Sequence, residues 1–339
     1  MPYIFVFCLI LLCSCGSKER QVSIAGATMG TSYSIKCVVG EEIREQNLQK
    51  AIDKLLVQFD ADLSSWNPHS WISKFNNSSS TEWQSAPPSV LNIVEKSIDL
   101  FKRSRGAFDI TLSPLIERWG FGAGERTSIP TDQELGVLLA QCGSQHLEVD
   151  VVQQKIRKKI PQLSINASAI AKGYGVDLVS QVLIQKGISQ FMVEIGGEVR
   201  CQGHPLDKEA WHIGIQQPDP ALTNHMIGIV PLKNFALATS GDYRNFFKVE
   251  NQIYNHILDP MSGRPVQHSL CSATVLAPNC ALADGLATTC LVLGTQLSLQ
   301  WIKQFPNCSV LLVERQKDGS TKIFQSANFP LKASDTSKY

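Results

Sequence analysis

Apolar residues recur along this chain in two rhythms, one of about two residues and one of three to four, which predict strands and helices respectively. Thr31 to Val39 (TSYSIKCVV) follows the first and predicts a strand. Leu48, Ile52, Leu55, Leu56 and Phe59 follow the second and predict an amphipathic helix. The polar stretch from Asn67 to Pro88, with serines at Ser78 to Ser80, reads as a loop. Ser89 then caps a helix carrying Val90, Val94, Ile98 and Phe101 that stops near Gly106. Thr131 and Glu134 form a capping box ahead of Leu135, Leu138 and Leu139.

The alternation continues in the second half. Ile170 to Lys186 is predicted helical, with Val179 and Leu183 on one face and Gly187 as its stop. Phe191, Val193 and Ile195 alternate as a strand ending at Gly196-Gly197, and Ile213–Ile215 and Met226–Val230 are short strands. Leu282 to Leu293 is a helix stopping at Gly294, with another from Thr295 and terminal strands near Val310–Val313 and Lys322–Phe324. No repeat of 20–50 residues and no long linker interrupts this order. It describes a single α+β domain with a mostly antiparallel sheet flanked by helices.

The 339 residues, 43% hydrophobic and 18% charged, suit an ordered globular protein with a sizeable core. A formal charge of +1, with no basic run interleaved with aromatics, gives no footprint for nucleic acid. Met1 to Leu12 is almost wholly apolar but shorter than the roughly 20 residues of a membrane-spanning helix, so it reads as a signal-peptide core. Leu12-Cys13-Ser14-Cys15 resembles the lipobox of bacterial lipoproteins, in which the last cysteine is lipidated; an ordinary cleaved signal or a buried N-terminal strand is the alternative. The expected organisation is a signal peptide over 1–14, a tether over 15–25 following lipidated Cys15, and a domain over 26–330. Of the ten cysteines, seven lie beyond the signal, with no CxxC pair and no histidine at zinc-ligand spacing. They read mostly as small buried hydrophobes, with a disulfide or two left open.

Several familiar sites are absent: no G-x-x-x-x-G-K-[ST] phosphate loop, no G-x-G-x-x-G between strand and helix, and no G-x-S-x-G elbow. What remains are small, polar, glycine-punctuated segments. Gly26-Ala27-Thr28-Met29-Gly30-Thr31 is either a plain turn or a place where backbone approaches a ligand. Gly106 to Thr111, leading to Trp119-Gly120-Phe121-Gly122, sets aromatics beside glycines, which suits a planar ligand or tight loop packing. Asn166 to Tyr174 opens a helix with small residues, whose free amides favour phosphate, and Lys172 there is either a phosphate contact or a solvated lysine. His256, beside Asp259-Pro260, is a candidate general base or a structural histidine. Asp284 and Thr288 stand four apart on one helical face, hard oxygen donors that suit Mg²⁺ or, alternatively, an acid stabilising a helix dipole.

Together these segments resemble the FAD:protein FMN transferase family, the ApbE flavin-trafficking lipoproteins. The matching stretches are GATMGTSY, DADLSSWNPHSWISKFN, GAFDITLSPLIERWGFG, SAIAKGYGVD, VEIGGEV, ATSGDYRNFF, HILDPMSGRPV and ADGLATTCLVLG, in the family's order from Gly26 to Gly294. The resemblance implies that Met29, Trp66, Ala107, Phe108, Asp109, Asn166, Lys172 and Leu258 line the FAD site. It also implies that Asp284, Thr288 and the carbonyl of Ala169 hold Mg²⁺, and that His256 is the general base. Asn166-Ala167-Ser168-Ala169 departs from the family's Asp-Leu-Gly-Ala, and Met261-Ser262 departs from its Arg-Thr.

The implied activity is Mg²⁺-dependent transfer of FMN from FAD to a Thr or Ser hydroxyl of a target protein, with release of AMP. The expected acceptors are flavin-carrying subunits of membrane electron-transport complexes of the sodium-pumping NADH:quinone reductase or Rnf type. The expected location is the bacterial membrane, lipid-anchored and facing the periplasm or cell exterior. FAD pyrophosphatase activity and non-catalytic FAD binding are the competing readings.

Overall fold

The computed structural model describes residues 19–122, 128–219, 225–243, 245–250 and 252–333. The chain begins with the hairpin β1 (Arg20–Thr28) and β2 (Thr31–Val39), then helices α1 (Glu45–Leu63) and α2 (Trp71–Asn77). Strand β3 (Gln84–Ser85), helices α3 (Pro88–Arg103), α4 (Ser113–Arg118) and α5 (Asp132–Leu139), and strands β4 (Leu147–Asp150) and β5 (Lys155–Lys158) follow. Helix α6 (Ala171–Gln185) leads into β6 (Phe191–Ile195), β7 (Glu198–Gln202), β8 (Trp211–Gln216), β9 (Met226–Leu232) and β10 (Ala236–Gly241). Two small hairpins come next, β11 (Phe246–Val249) with β12 (Gln252–Asn255), and β13 (Leu258–Asp259) with β14 (Arg264–Pro265). Strand β15 (Leu270–Ala277), helix α7 (Cys280–Trp301), and strands β16 (Ser309–Arg315) and β17 (Thr321–Gln325) complete the chain.

Eight strands form one antiparallel sheet in the order β1-β2-β6-β7-β10-β15-β16-β17, which is the α+β architecture expected. Helices α6 and α7 cover one face, α6 against β6 and β7 and α7 against β10 and β15. The β8–β9 hairpin covers the other, where Trp211, Val230 and Leu232 meet Val199, Leu237 and Leu311. Covered on both sides, β15 has every residue buried, which is why LCSATVLA carries no polar alternation. Phe191, Val193 and Ile195 are fully buried on β6, each contributing about 1.5–3 kcal/mol of transfer energy. Helix α7 is long and apolar enough to cross a membrane, but most of it is buried inside the domain, so it is a core helix.

Several expectations need correction. The presumed tether to residue 25 is strand from Arg20, because Val22 and Ile24 alternate with exposed neighbours and pair with β2. The presumed loop from Asn67 to Pro88 contains α2, whose Ser70 hydroxyl accepts the Ser73 N–H and whose Ile72 and Phe75 are buried. Helix α3 starts at Pro88 rather than behind a Ser89 cap, and the Ser89 hydroxyl instead donates to Asp62 at 2.5 Å. The Thr131–Glu134 capping box is present as expected. Gly294, at φ 74°, breaks α7 where a stop was expected. All seven cysteines among the described residues are buried free thiols. Cys15 lies outside the described residues.

Candidate active site

The Met29-Gly30 segment is a two-residue hairpin loop with positive φ at both positions (47° and 70°), the backbone of a tight turn between twisted strands. Gly26 lies opposite Tyr33 in this hairpin, and a β-carbon on it would sit 2.5 Å from the Tyr33 ring. The turn carries Met29 onto α6, where its methyl would lie 2.9 Å from a β-carbon on Gly175. Plain turn and close approach to a binding cavity are the same feature here.

Helices α6 and α7 meet through side chain-to-backbone bonds that fix the next part of the site. Asp177 on α6 accepts the first-turn N–H groups of Cys280 and Ala281 (3.0 and 2.9 Å), while Asn279 accepts that of Leu282. Arg200 donates to the same Asp177 carboxylate at 2.7 Å. One turn further along α7, Asp284 accepts the Gly173 N–H at 2.9 Å. A β-carbon on Gly173 would fall 2.3 Å from the Cys280 carbonyl oxygen, so the helices could not approach this closely with any other residue there. Thr288 follows one turn after Asp284, its hydroxyl 3.1 Å from that of Ser240 at the end of β10.

These elements wall a cavity of about 300 Å³ that contains Ala107, Phe108, Asp109, Asn166, Ala169, Lys172, His256, Leu258, Asp284 and Thr288 in its lining. A second cavity of about 360 Å³ shares Asn166, Ser168 and Lys172 with the first and adds Met29 and Trp66. Every residue expected at the site, apart from the lipidation cysteine, therefore lines one of two adjoining cavities. Trp66 is 68% exposed at the rim of the second, an uncovered aromatic face beside a pocket. Asp109 stands in the wall, but its carboxylate is held by the Thr111 N–H and hydroxyl and by Ser144, so it shapes the loop as well.

His256 follows β12 directly. Its Nδ1 lies 3.0 Å from the Asn245 carbonyl oxygen, an acceptor only, so Nδ1 carries the proton and Nε2 is left as the basic nitrogen. Burial pushes its pKa below the ordinary imidazole value, partly opposed by the Asn245 bond and the Asp242 charge. Phe121 packs edge-on against its ring at 6.3 Å.

Glu198, the first residue of β7, stands in the VEIGGEV stretch, where the sequence alone gives it no role. It is 1% exposed, lines the first cavity, and its carboxylate lies 2.6 Å from the Lys172 ammonium. Burial pushes both Glu198 and Asp284 above the usual carboxylate range, the Asp284 charge adds to the rise at Glu198, and Lys172 opposes both. A lone acid after Gly196-Gly197 has no spacing signal, and its partner is set by the sheet. Ser240 and Asn245, also in the lining, escaped for the same reason.

The donor set fits a hard divalent cation only in part from the protein. No group of three or more His, Cys, Asp or Glu side chains able to hold a metal occurs among the described residues. Buried Asp284, the Thr288 hydroxyl and the nearby Ala169 offer few hard oxygens facing an open cavity, which suits Mg²⁺ completed by phosphate and water.

The ApbE family model matches residues 29–312. An FAD:protein FMN transferase of Vibrio cholerae is 38% identical over 323 residues, spanning 95% of both chains. That of Escherichia coli K12 is 30% identical over 312 residues, 90% of this chain and 87% of the relative. Among solved structures, the flavin transferase ApbE of Vibrio cholerae superposes with a TM-score of 0.83 at 36% identity, over 93% of this chain and all of the other (100%). The apo flavinyl transferase ApbE of Pseudomonas stutzeri gives 0.82 at 32% identity, over 91% and 95%. Family match, relatives and fold agree: the chain belongs to the ApbE family, whose curated relatives bear the name FAD:protein FMN transferase.

Proposed function

We propose that this chain transfers FMN from FAD to a hydroxyl group of an acceptor protein. The observation that carries the reading is the convergence on one cavity of His256, whose Nδ1 faces the Asn245 carbonyl and leaves Nε2 as the basic nitrogen, with the oxygens of Asp284 and Thr288, and Lys172. His256 takes the proton of a Thr or Ser hydroxyl. The hydroxyl oxygen bonds to the FMN-side phosphorus, the bond from that phosphorus to the bridging oxygen breaks, and AMP leaves with that oxygen. Lys172 steadies the phosphates, and Glu198 keeps its ammonium in the cavity. Asp284, Thr288 and the Ala169 carbonyl would hold Mg²⁺, which when bound neutralises charge on the pyrophosphate.

Acceptors of this chemistry are flavin-carrying subunits of membrane complexes of the sodium-pumping NADH:quinone reductase or Rnf type. We place the protein at the membrane through lipidated Cys15. The five steps from Cys15 to the strand start at Arg20 reach at most about 18 Å, so the domain would sit close to the lipid surface.

Incubating the purified protein with FAD, Mg²⁺ and a soluble acceptor domain, then recording intact masses and nucleotides, tests the reading. Acceptor heavier by one FMN, with AMP released, is the expected result. Free FMN and AMP beside an unmodified acceptor would replace it with hydrolysis, and unchanged FAD with binding alone.

A further inference from the structure

A third cavity, of about 540 Å³, lies outside the site already described and is lined by Pro218, Tyr243, Phe246 and Ile253 over an Asp242–Arg315 ion pair. It and the first cavity draw on neighbouring residues of the chain. Gly241 and Asn245 face the first, whereas Asp242, Tyr243 and Phe246 face the third. The second cavity opens elsewhere, from the wall formed by Asn166, Ser168 and Lys172.

The β11–β12 hairpin forms one bank of this third cavity, and its two faces differ. Register puts Phe247 opposite Tyr254, and these rings stack on one face at 5.3 Å. That stack continues to Trp119 on one side and Phe121 on the other, and Phe121 touches His256. The opposite face carries Phe246 and, diagonally, Ile253, which are 47% and 50% exposed. The hairpin is thus anchored through one face, leads directly into His256, and shows adjacent apolar side chains on the other. Single exposed apolar residues need no explanation, but a pair lining a cavity beside a reaction centre does.

We infer that this cavity and the Phe246–Ile253 face seat an extended segment of the acceptor protein next to its reacting hydroxyl. The inference rests on the transferase reading. Relatives of this chain are named for a protein acceptor, so a polypeptide must reach His256. The side bounded by Asn166 and Lys172 leads into the second cavity, which leaves the side carrying Gly241, Asp242, Tyr243, Asn245 and Phe246 as the rim the acceptor crosses. An apolar side chain flanking the hydroxyl would pack on Phe246 and Ile253, while backbone groups meet Gln217 and the Asp242–Arg315 pair.

The test is the double variant Phe246→Ser/Ile253→Ser of the full protein. Its acceptor is the soluble flavin-carrying domain of a sodium-pumping NADH:quinone reductase subunit, titrated at saturating FAD and Mg²⁺. The KM for the acceptor should rise tenfold or more, with kcat at saturating acceptor within threefold of wild type. FAD affinity, read from flavin fluorescence, should stay within twofold, which also reports that the variant is folded. Wild-type KM in a variant that binds FAD normally overturns the surface while leaving the transferase reading intact. A wild-type enzyme that modifies no acceptor but consumes FAD overturns the transferase reading, and this inference with it.

Discussion

Gly173 donates its backbone N–H to the Asp284 carboxylate at 2.9 Å across the junction of α6 and α7, and lacks the β-carbon that would push the two helices apart. One residue thereby sets both the spacing of the helices and the orientation of the acid. Gly173→Ala places a methyl 2.3 Å from the Cys280 carbonyl oxygen, a backbone atom that cannot swing aside. Overpacking of this kind costs about 1–3 kcal/mol. The variant should melt lower, and residual enzyme should require more Mg²⁺ for half-maximal turnover. An unchanged melting curve and Mg²⁺ dependence would mean that the helices do not need this contact.

Asp284→Ala removes the only carboxylate among the three expected metal contacts. Metal-dependent AMP release from FAD should vanish, while FAD binding persists through the Met29–Trp66 cavity, which Asp284 does not line. AMP release at the wild-type rate would show that the metal is held elsewhere.

His256 acts as a base only when neutral, and burial holds its pKa below about 6.5. A lower pKa means the neutral form persists further into acid, so the acid limb of kcat/KM assigned to this residue should lie below pH 6.5. His256→Ala should lose that limb and lower kcat by about 10²- to 10⁴-fold, the usual span for a general base. A profile whose acid limb survives the substitution would assign it to another group.

Lys172→Met leaves Glu198 buried without its cation. Glu198 already has a raised pKa, and removing Lys172 raises it further. A carboxyl whose folded pKa lies above its unfolded value stabilises the fold fully at low pH and loses that contribution as pH rises through the folded pKa. The variant should therefore lose more stability at pH 9, where wild-type Glu198 is ionised beside Lys172, than at pH 5, where Glu198 is protonated with or without the lysine. Denaturant melts at the two pH values measure it, and equal losses at both would exclude Glu198 as the source.

Elements with a long apolar period were legible in the sequence. Helices α1, α3 and α6 and strands β2 and β6 appear where their burial pattern predicts. Strand β15 and helix α2 were not, for opposite reasons. The strand is buried on both faces and shows no period, whereas the helix is seven residues long and is set by its Ser70 cap and two buried side chains. Site residues came from motifs, and the structure supplies the reason for several glycines, Gly26 beneath Tyr33 and Gly173 against Cys280. Glu198 shows what motifs omit: its role depends on a lysine brought to it by the fold.

Asn76, at the end of the helix that the polar stretch concealed, offers a last test of how the cavities are held. Its side chain bonds to Ile165 as a strand neighbour would, the amide donating to the Ile165 carbonyl and the oxygen accepting the Ile165 N–H, both at 2.8 Å. The next residue, Asn166, donates its N–H to the Ile110 carbonyl at 2.7 Å and lines both cavities. Asn76→Ala strips two bonds from a residue that is fully buried, at about 1–3 kcal/mol for each group left unmet. A domain of this size loses about 2–4 °C in Tm per kcal/mol. Because the substitution loosens the wall and leaves Asp284 and His256 in place, FAD affinity should fall several-fold while kcat at saturating FAD changes little. If affinity holds while Tm drops, the wall is fixed instead by buried Lys158, whose ammonium bonds the Leu163 carbonyl at 2.9 Å and the Phe75 carbonyl at 3.1 Å.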